Sequence, residues 1–198
     1  MDVIIKRGYT GFERVGAGGQ ANVYRTMKDG KEYAIKVVPV QPEDQKKLDD
    51  DLRRELSILG GIKHPNCMKV VDLFRSKGHV YIAMPFMANG TVGDVVGKHG
   101  PLSEWNCKVW FPAMARAVKY LHEHAIAHRD LKLDNILLDE HYNPMVSDFG
   151  LYCHSFGFSR FVKMSSKTGE TTKSDTYCGT TSYNPPQILK HIPYDPYK

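Results

Sequence analysis

A short run of polar side chains between apolar segments constrains this chain more than any other feature. The run is HRDLKLDN at positions 128–135, and SDFG follows at positions 147–150. Acids, an amide and a lysine are thus concentrated in a sequence that is apolar on both sides. Charged groups in such surroundings need partners or a ligand that balances their charge. We interpret the run as a phosphate-transfer site that holds a base and two metal ligands.

Composition narrows the function classes. The chain has 198 residues, of which 41% are hydrophobic and 25% charged, as in soluble globular proteins. The net charge of +5 is spread along the chain, so no nucleic-acid partner is predicted. The N-terminus lacks the apolar core of a signal peptide, and no apolar run could span a membrane. The four cysteines (Cys67, Cys107, Cys153 and Cys178) have no zinc or CxxC spacing and indicate free thiols. We therefore expect a cytoplasmic protein without a membrane partner.

A glycine cluster at positions 16–19 lies between two predicted strands. The sequence KDGK at 28–31 favours a hairpin turn, and 32–38 is predicted to be the third strand. The cluster alone is compatible with a flexible hairpin loop. It is also compatible with a loop whose bare backbone covers phosphates, because a side chain would hold that backbone away. A dinucleotide-binding fingerprint is excluded, since it requires strand, loop and then helix.

A helix is predicted from position 42 to about 59, where Gly60 and Gly61 end it. Leucines at 48, 52, 56 and 59 recur at helical spacing and mark its buried face. Glu55 borders this face, and a carboxylate there favours a cationic partner. That partner could be Lys36 on the third strand, or Glu55 could face solvent or pair with Arg53 or Arg54.

The second half of the sequence is predicted to be mainly helical. Strands are expected at 68–74 and 79–84, and a connector comes next, so we place a boundary between domains 1–88 and 89–198. A short helix is predicted at 91–98, and Ser103 should cap a long helix ending near 124. Pro112 should kink that helix or remove one hydrogen bond. The apolar face of the long helix is predicted to include Val109, Trp110, Met114, Ala117, Val118 and Leu121.

The ordered set of motifs resembles the eukaryotic protein kinases, from about Tyr9 to Tyr197. Lys132 and Thr180 match the serine/threonine type. Ala21 and the segments at 176–179 and 192–194 are similar to the testis-specific serine kinases of the calmodulin-kinase-like group. The resemblance implies an α+β, bilobal fold with a β-rich N-lobe carrying one regulatory helix. It also implies a mostly helical C-lobe that is truncated here.

The resemblance further implies an ATP- and Mg²⁺-dependent serine/threonine protein kinase that acts on protein substrates. Asp130 would be the base, Lys132 would hold the γ-phosphate, and Asn135 and Asp148 would bind Mg²⁺. Lys36, fixed by Glu55, would hold the α- and β-phosphates. Arg129 would pair with a phosphate on Thr176. The remaining nucleotide contacts implied by the resemblance are Val15, Gly16, Ala17, Gly18, Gly19, Gln20, Ala21, Asn22, Val23, Ala34, Pro85, Met87 and Leu137.

Two departures from the family pattern lead to an alternative. Gln187 stands where the family has a glutamate that pairs with a buried arginine. The chain also stops before the helix that supports the catalytic loop, so the long helix and this loop should expose apolar surface. A partner could cover the incomplete C-lobe. The alternative function is a catalytically weak nucleotide-binding or scaffold module of the pseudokinase kind.

Overall fold

A computed structural model of the protein describes residues 2–17, 21–40, 59–149 and 179–195. The chain divides into two compact units. The first comprises residues 1–63 and 68–87, and the second comprises residues 64–67 and 88–198. The helix predicted from position 42 to about 59, which carries Glu55, lies outside the described residues except at its last position, Leu59.

The first unit contains a five-stranded antiparallel sheet in the order β1-β2-β3-β5-β4. The predicted hairpin between β2 and β3 is confirmed, because Lys28 pairs with Lys31 across Asp29 and Gly30. Both turn residues have positive φ, 50° and 71°, which a tight two-residue hairpin turn requires. The strands are β1 (Thr10–Ala17), β2 (Asn22–Lys28), β3 (Lys31–Pro39), β4 (Asp72–Ser76) and β5 (His79–Pro85).

The two faces of β3 have different neighbours, because successive side chains of a strand point to opposite faces. Ile35 belongs to a buried cluster on one face, and Lys36 therefore points to the other. The N-terminal helix α1 (Asp2–Ile5), which the sequence analysis did not predict, contributes to this cluster through Ile4. The cluster comprises Ile4, Tyr9, Ile35, Phe74, Tyr81 and Ala83, with Val3, Phe12, Tyr33 and Val37 packed against it.

The strand predicted at 68–74 begins later than expected. Regular pairing starts at Asp72, and residues 68–71 are irregular. Met68 is nevertheless buried. Its apolar character thus reflects burial in a loop, which a short apolar run cannot distinguish from a strand.

The second unit begins with α2 (Val92–His99), and its first turn is closed by a reciprocal pair of hydrogen bonds. The Thr91 hydroxyl accepts from the Asp94 amide at 2.9 Å, and the Asp94 carboxylate accepts from the Thr91 amide at 2.8 Å. The bond from the Thr91 amide, and a further one from the Thr91 hydroxyl to the same carboxylate at 2.8 Å, hold the pKa of Asp94 below its usual range. The short helix predicted at 91–98 is therefore confirmed.

The long helix α3 (Glu104–Glu123) confirms the predicted N-cap, since Ser103 Oγ accepts from the Asn106 amide. The helix continues through Pro112, at its ninth residue. The predicted buried face was partly wrong, because Val109 is 50% exposed. The fully buried positions are Trp110, Ala113, Ala117 and Leu121.

The unit is completed by the hairpin β6 (Ile136–Leu138) and β7 (Pro144–Val146) and by the short helix α4 (Pro186–Leu189). Residues 64–67 join this unit because Asn66 Nδ2 donates to the Pro144 carbonyl and Cys67 bridges to Val146. The β-rich first unit and the mainly helical second unit confirm the expected α+β class. Among the residues described, no helix is long and apolar enough to cross a membrane.

Candidate active site

The β6–β7 hairpin brings the polar run at 128–135 close to Ser147 and Asp148, which follow it in the sequence. The segment 128–135, here called the catalytic loop, ends in a short 3₁₀ helix that leads into β6. Ser147 follows β7, and both its amide and its hydroxyl donate to the Asn135 carbonyl, at 2.9 and 3.0 Å. Asp148, one residue further on, is thereby placed beside the end of the catalytic loop.

The Asp130 carboxylate accepts hydrogen bonds on both oxygens. Oδ1 accepts from the Thr180 amide at 2.9 Å and from the Thr180 hydroxyl at 2.7 Å. Oδ2 lies 3.1 Å from Lys132 Nζ and accepts from Asn135 Nδ2 at 3.1 Å. Two predicted catalytic residues and one predicted metal ligand are therefore in direct contact.

These contacts determine the ionisation of Asp130. Partial burial alone would raise the pKa of its carboxyl group. The hydrogen bonds from Thr180 and Lys132 and the charge of Lys132 outweigh burial, so the pKa lies below its usual range. Asp130 is thus an anion at neutral pH, and its lone pairs are directed at donors.

The Asn135 amide has only one chemically sensible orientation. Its Nδ2 lies 2.7 Å from the Asp130 carbonyl oxygen and 3.1 Å from Asp130 Oδ2, and both are acceptors. The amide hydrogens are therefore used within the loop, and Oδ1 remains as an acceptor. An amide oxygen and the Asp148 carboxylate are hard oxygen ligands of the kind that Mg²⁺ prefers, so these residues fit the predicted metal.

Two site residues have left-handed backbone conformations. Arg129 has φ 67° and Asp148 has φ 58°. A non-glycine residue in this region costs roughly 1 kcal/mol, so surrounding contacts must maintain both. Arg129 Nε is buried without a hydrogen-bond partner among the described residues.

His128 packs against Phe149. Its ring lies edge-on to Phe149, with centroids 6.4 Å apart, and its Nε2 is 2.9 Å from the Ser147 carbonyl. Burial lowers the pKa of the His128 imidazole. The ring is therefore neutral at pH 7 and supports Phe149 by packing.

Thr180 contacts Asp130 directly, although the sequence analysis used it only as a marker of kinase type. The neighbouring glycine explains how its backbone can reach Asp130. Gly179 has φ 107°, and a Cβ at this position would lie 2.8 Å from the Arg129 carbonyl oxygen. Any side chain there would push residues 179–180 away from the catalytic loop. In the sequence, the Gly179-Thr180 pair was the signal that could have indicated this contact with Asp130.

The remaining predicted residues lie mainly on the strands. Lys36 is only 7% exposed and lies across from Val23 in the register of β2 and β3. Ala34 pairs with Met84, and Gly16 pairs with Val23. Gly18, Gly19, Gln20 and Glu55 lie outside the described residues, as does the side chain of Ala17. The others are Val15 in β1, Ala21 directly before β2, Asn22 at the start of β2, Pro85 at the end of β5, Met87 in the connector after β5 and Leu137 in β6.

An apolar groove borders the catalytic loop in the second unit, as expected from the sequence. Its volume is about 920 Å³. Phe111 from α3 and Leu131 and Leu133 from the loop are among its exposed apolar side chains. Within the described ranges, no group of three histidine, cysteine or acidic side chains could hold a metal ion.

A carboxylate bound to a lysine and an asparagine of the same loop, beside a second aspartate, defines the catalytic loop of a protein kinase. The sequence profile of the protein kinase domain matches residues 9–197. The chain therefore belongs to the protein kinase family.

The most similar relatives include several serine/threonine kinases. Mouse testis-specific serine/threonine-protein kinase 1 is 32% identical over 197 residues, which are 98% of this chain and 52% of that protein. CBL-interacting protein kinase 11 of rice, Oryza sativa subsp. japonica, is 33% identical over 189 residues, 92% of this chain and 35% of that protein. CBL-interacting serine/threonine-protein kinase 20 of Arabidopsis thaliana is 32% identical over 199 residues, 98% and 42% respectively.

These relatives confirm the predicted serine/threonine kinase resemblance, including the similarity to the testis-specific group. The rice and Arabidopsis kinases match equally well, so the similarity is not restricted to one group. The chain spans about half the length of these relatives, or less.

Proposed function

We propose that this chain transfers the γ-phosphoryl group of ATP to serine or threonine hydroxyls of proteins, with Mg²⁺ as the metal ion. The observation that carries the proposal is the Asp130 carboxylate, which is bound by Lys132, Asn135 and Thr180. A scaffold that only binds a partner has no need of a partly buried carboxylate whose two oxygens are both held by hydrogen bonds. A cytoplasmic location stays a prediction.

In the proposed reaction, Asp130 orients the substrate hydroxyl and accepts its proton. The hydroxyl oxygen forms a bond to the γ-phosphorus while the bond from that phosphorus to the bridging oxygen breaks, and ADP leaves. Lys132 balances negative charge on the transferred group. Bound Mg²⁺ would neutralise phosphate charge, and Asn135 and Asp148 would hold it.

Two observations in the first unit support a nucleotide role. Lys36 is a cation held in a buried position on β3, where its charge is little screened by water. Gly16 has no positive φ, and a Cβ there would make only an ordinary contact of 3.6 Å with Val23. Neither backbone conformation nor packing therefore requires glycine at position 16. A backbone left bare for the approach of phosphates remains a sufficient reason. The nucleotide contacts of Glu55, Pro85, Met87 and Leu137 stay predictions.

The test is transfer of labelled γ-phosphate from ATP to a generic basic protein. Replacing Asp130 by Asn should lower the transfer rate about 100-fold or more, since general-base catalysis contributes at least that factor in many enzymes. Glu140→Gln is the matched control, because Glu140 is an exposed acid of the same unit. Equal transfer by the wild-type and Asp130→Asn proteins would favour the nucleotide-binding or scaffold alternative.

We also propose that a phosphate on Thr176 binds the Arg129 guanidinium. Arg129 Nε, which has no partner among the residues that the structure describes, supports this role, because a buried guanidinium nitrogen favours an anionic acceptor. Thr176 itself lies outside the described residues. The Thr176→Ala variant should have reduced activity. Unchanged activity, with no phosphate detected at Thr176 by mass spectrometry, would contradict this proposal.

A further inference from the structure

Residues 2–9 form a compact segment on the first unit, here called the N-terminal clamp. Helix α1 continues into a turn in which the amides of Arg7 and Gly8 donate to the carbonyls of Ile4 and Ile5, at 3.0 and 2.9 Å. The Tyr9 amide also donates to the Ile4 carbonyl, at 3.3 Å. These bonds fold the segment back on itself, so that Ile4 and Tyr9 point to the same side.

That side is buried against the sheet. Ile4 is 1% exposed and Tyr9 is 0% exposed. Both contact the apolar cluster that contains Ile35 of β3, together with Phe74 of β4 and Tyr81 and Ala83 of β5. Burial of two large side chains is a substantial source of stabilisation for so short a segment.

Arg7 binds the C-terminal part of the N-terminal clamp to β4. Its guanidinium donates to both carboxylate oxygens of Asp72, at 3.1 and 2.9 Å. Its Cζ also lies 4.1 Å from the centre of the Phe74 ring. The side chains of Arg7 and Asp72 are 43% and 24% exposed, so solvent screens this pair in part. Both hydrogen bonds come from Nη1, and together with the aromatic ring under the guanidinium they nevertheless favour one geometry.

The strand under the clamp is the strand that carries Lys36. Ile35 and Val37 pack toward the clamp, and they pair with Ala83 and Tyr81 of β5. Lys36 lies between them and pairs with Ile82. Because its neighbours on both sides are held from one face, the backbone of Lys36 cannot shift without disturbing the clamp.

We propose that the N-terminal clamp is a positioning element for Lys36, with Arg7 as its fastening residue. Opening of the clamp exposes the outer face of β3 and β5, which lowers the free energy needed for local opening of these strands. Lys36 then loses its fixed position although no group that touches the nucleotide has been changed. The inference rests on the proposed function only where nucleotide affinity is concerned.

The first experiment measures how accessible the Lys36 amine is to a reagent, which depends on how firmly Lys36 is held in position. An amine-reactive acylating reagent is applied in a short pulse, and the acylation of Lys36 is followed by mass spectrometry. In Arg7→Ala, the acylation rate should rise about threefold to tenfold, from the loss of one partly exposed ion pair and one cation–π contact. Lys6→Ala is the matched control, because Lys6 is an exposed cation of the same segment. A charge exchange, Arg7→Asp with Asp72→Arg, should restore slow acylation.

The second experiment measures the Michaelis constant for ATP. It should rise about threefold to tenfold in Arg7→Ala, with kcat changed much less, because saturating ATP restores the occupied site. The exchange variant should restore the wild-type value. Should Arg7→Ala fail to fold, Arg7→Lys keeps the charge without the planar guanidinium that lies over Phe74, and it should give intermediate acylation.

The possible outcomes distinguish the clamp proposal from the proposed nucleotide role of Lys36. Equal Lys36 acylation in wild type, Arg7→Ala and Lys6→Ala would overturn the clamp proposal. Faster acylation in Arg7→Ala with an unchanged ATP affinity would support the clamp and overturn the proposed nucleotide role of Lys36. Faster acylation in Lys6→Ala as well would show a general effect of charge and would also overturn the role of Arg7.

Discussion

Removal of the Thr180 hydroxyl is the sharpest test of the active-site geometry. In Thr180→Ala, Asp130 loses the 2.7 Å bond from Oγ1, and Lys132 loses an acceptor at 2.6 Å. The 2.9 Å bond from the residue 180 amide remains. A hydrogen bond to a charged group contributes about 1.5–3 kcal/mol, so kcat should fall about 10-fold to 100-fold. Lys36 and the glycine loop are untouched, so the Michaelis constant for ATP should change little.

The same substitution should alter the ionisation of Asp130. The Thr180 side chain is the first of the hydrogen bonds that lower the pKa of this carboxyl group against the effect of burial. Without it the pKa rises, and activity is lost at a higher pH as the solution is acidified. Two measurements are needed: kcat as a function of pH, and the carboxyl carbon shift of Asp130 by NMR, which does not require turnover.

Two variants make the Thr180 experiment decisive. Thr180→Ser keeps the hydroxyl and should stay near the wild-type rate. Thr181→Ala removes a hydroxyl from the exposed neighbouring threonine and should have no effect. If Thr180→Ala matches Thr180→Ser in kcat and the pKa of Asp130 is unchanged, the contact has no role in catalysis.

Three further predictions concern buried groups. Burial raises the pKa of the Cys67 thiol to about 12. An alkylating reagent should therefore label the exposed Cys107 before Cys67. Equal labelling of these two cysteines, measured by mass spectrometry, would contradict the prediction. Tyr9→Phe removes a buried hydroxyl that has no partner among the described residues. By urea unfolding it should leave stability unchanged or raise it by about 1 kcal/mol, and a clear loss would indicate a missed partner. Burial lowers the pKa of His128 from 6.5, so below about pH 6.5 the unfolded chain binds a proton that the folded chain does not, and the free energy of unfolding should decrease. A His128 ring that titrates at its ordinary pKa by NMR would refute that reasoning.

Local signals in the sequence predicted much of the fold. The hairpin at Asp29-Gly30, the short helix at 91–98 and the cap at Ser103 depend on residues only a few positions apart, and all three are confirmed. Their physical causes, a positive φ and unpaired amides at a helix start, act over one turn of chain. Such features can be inferred without knowledge of the tertiary structure.

The buried face of the long helix α3 shows where inference from the sequence becomes uncertain. The sequence analysis included Val109 in the buried face and did not include Ala113. The structure buries Ala113 and leaves Val109 half exposed. With Trp110, Ala117 and Leu121 buried, the stripe repeats every three or four residues. A small side chain such as that of Ala113 gives a weak hydrophobic signal in the sequence, although close packing between structural elements favours small side chains.

Contacts between distant residues could not be predicted from spacing. Asp130 and Thr180 are fifty positions apart, and their contact depends on the course of the chain between them. The same holds for Arg7 and Asp72, which are sixty-five positions apart. The sequence contains the required residue types in each case. Which arginine pairs with which aspartate is decided by the order of strands in the sheet.

The surroundings of Asp130 bear on how a base of this kind can work. Four contacts hold its carboxylate, and its pKa is lowered, so it is a weak base in the resting protein. A weak base cannot extract a proton from an unactivated hydroxyl before bond formation begins, because the pKa difference is too large. It can accept that proton late, when the oxygen has begun to bond to phosphorus and has become acidic. The geometry therefore favours Asp130 as a group that first orients the hydroxyl and then takes up the proton. Most of the rate enhancement should then come from orientation and charge balance.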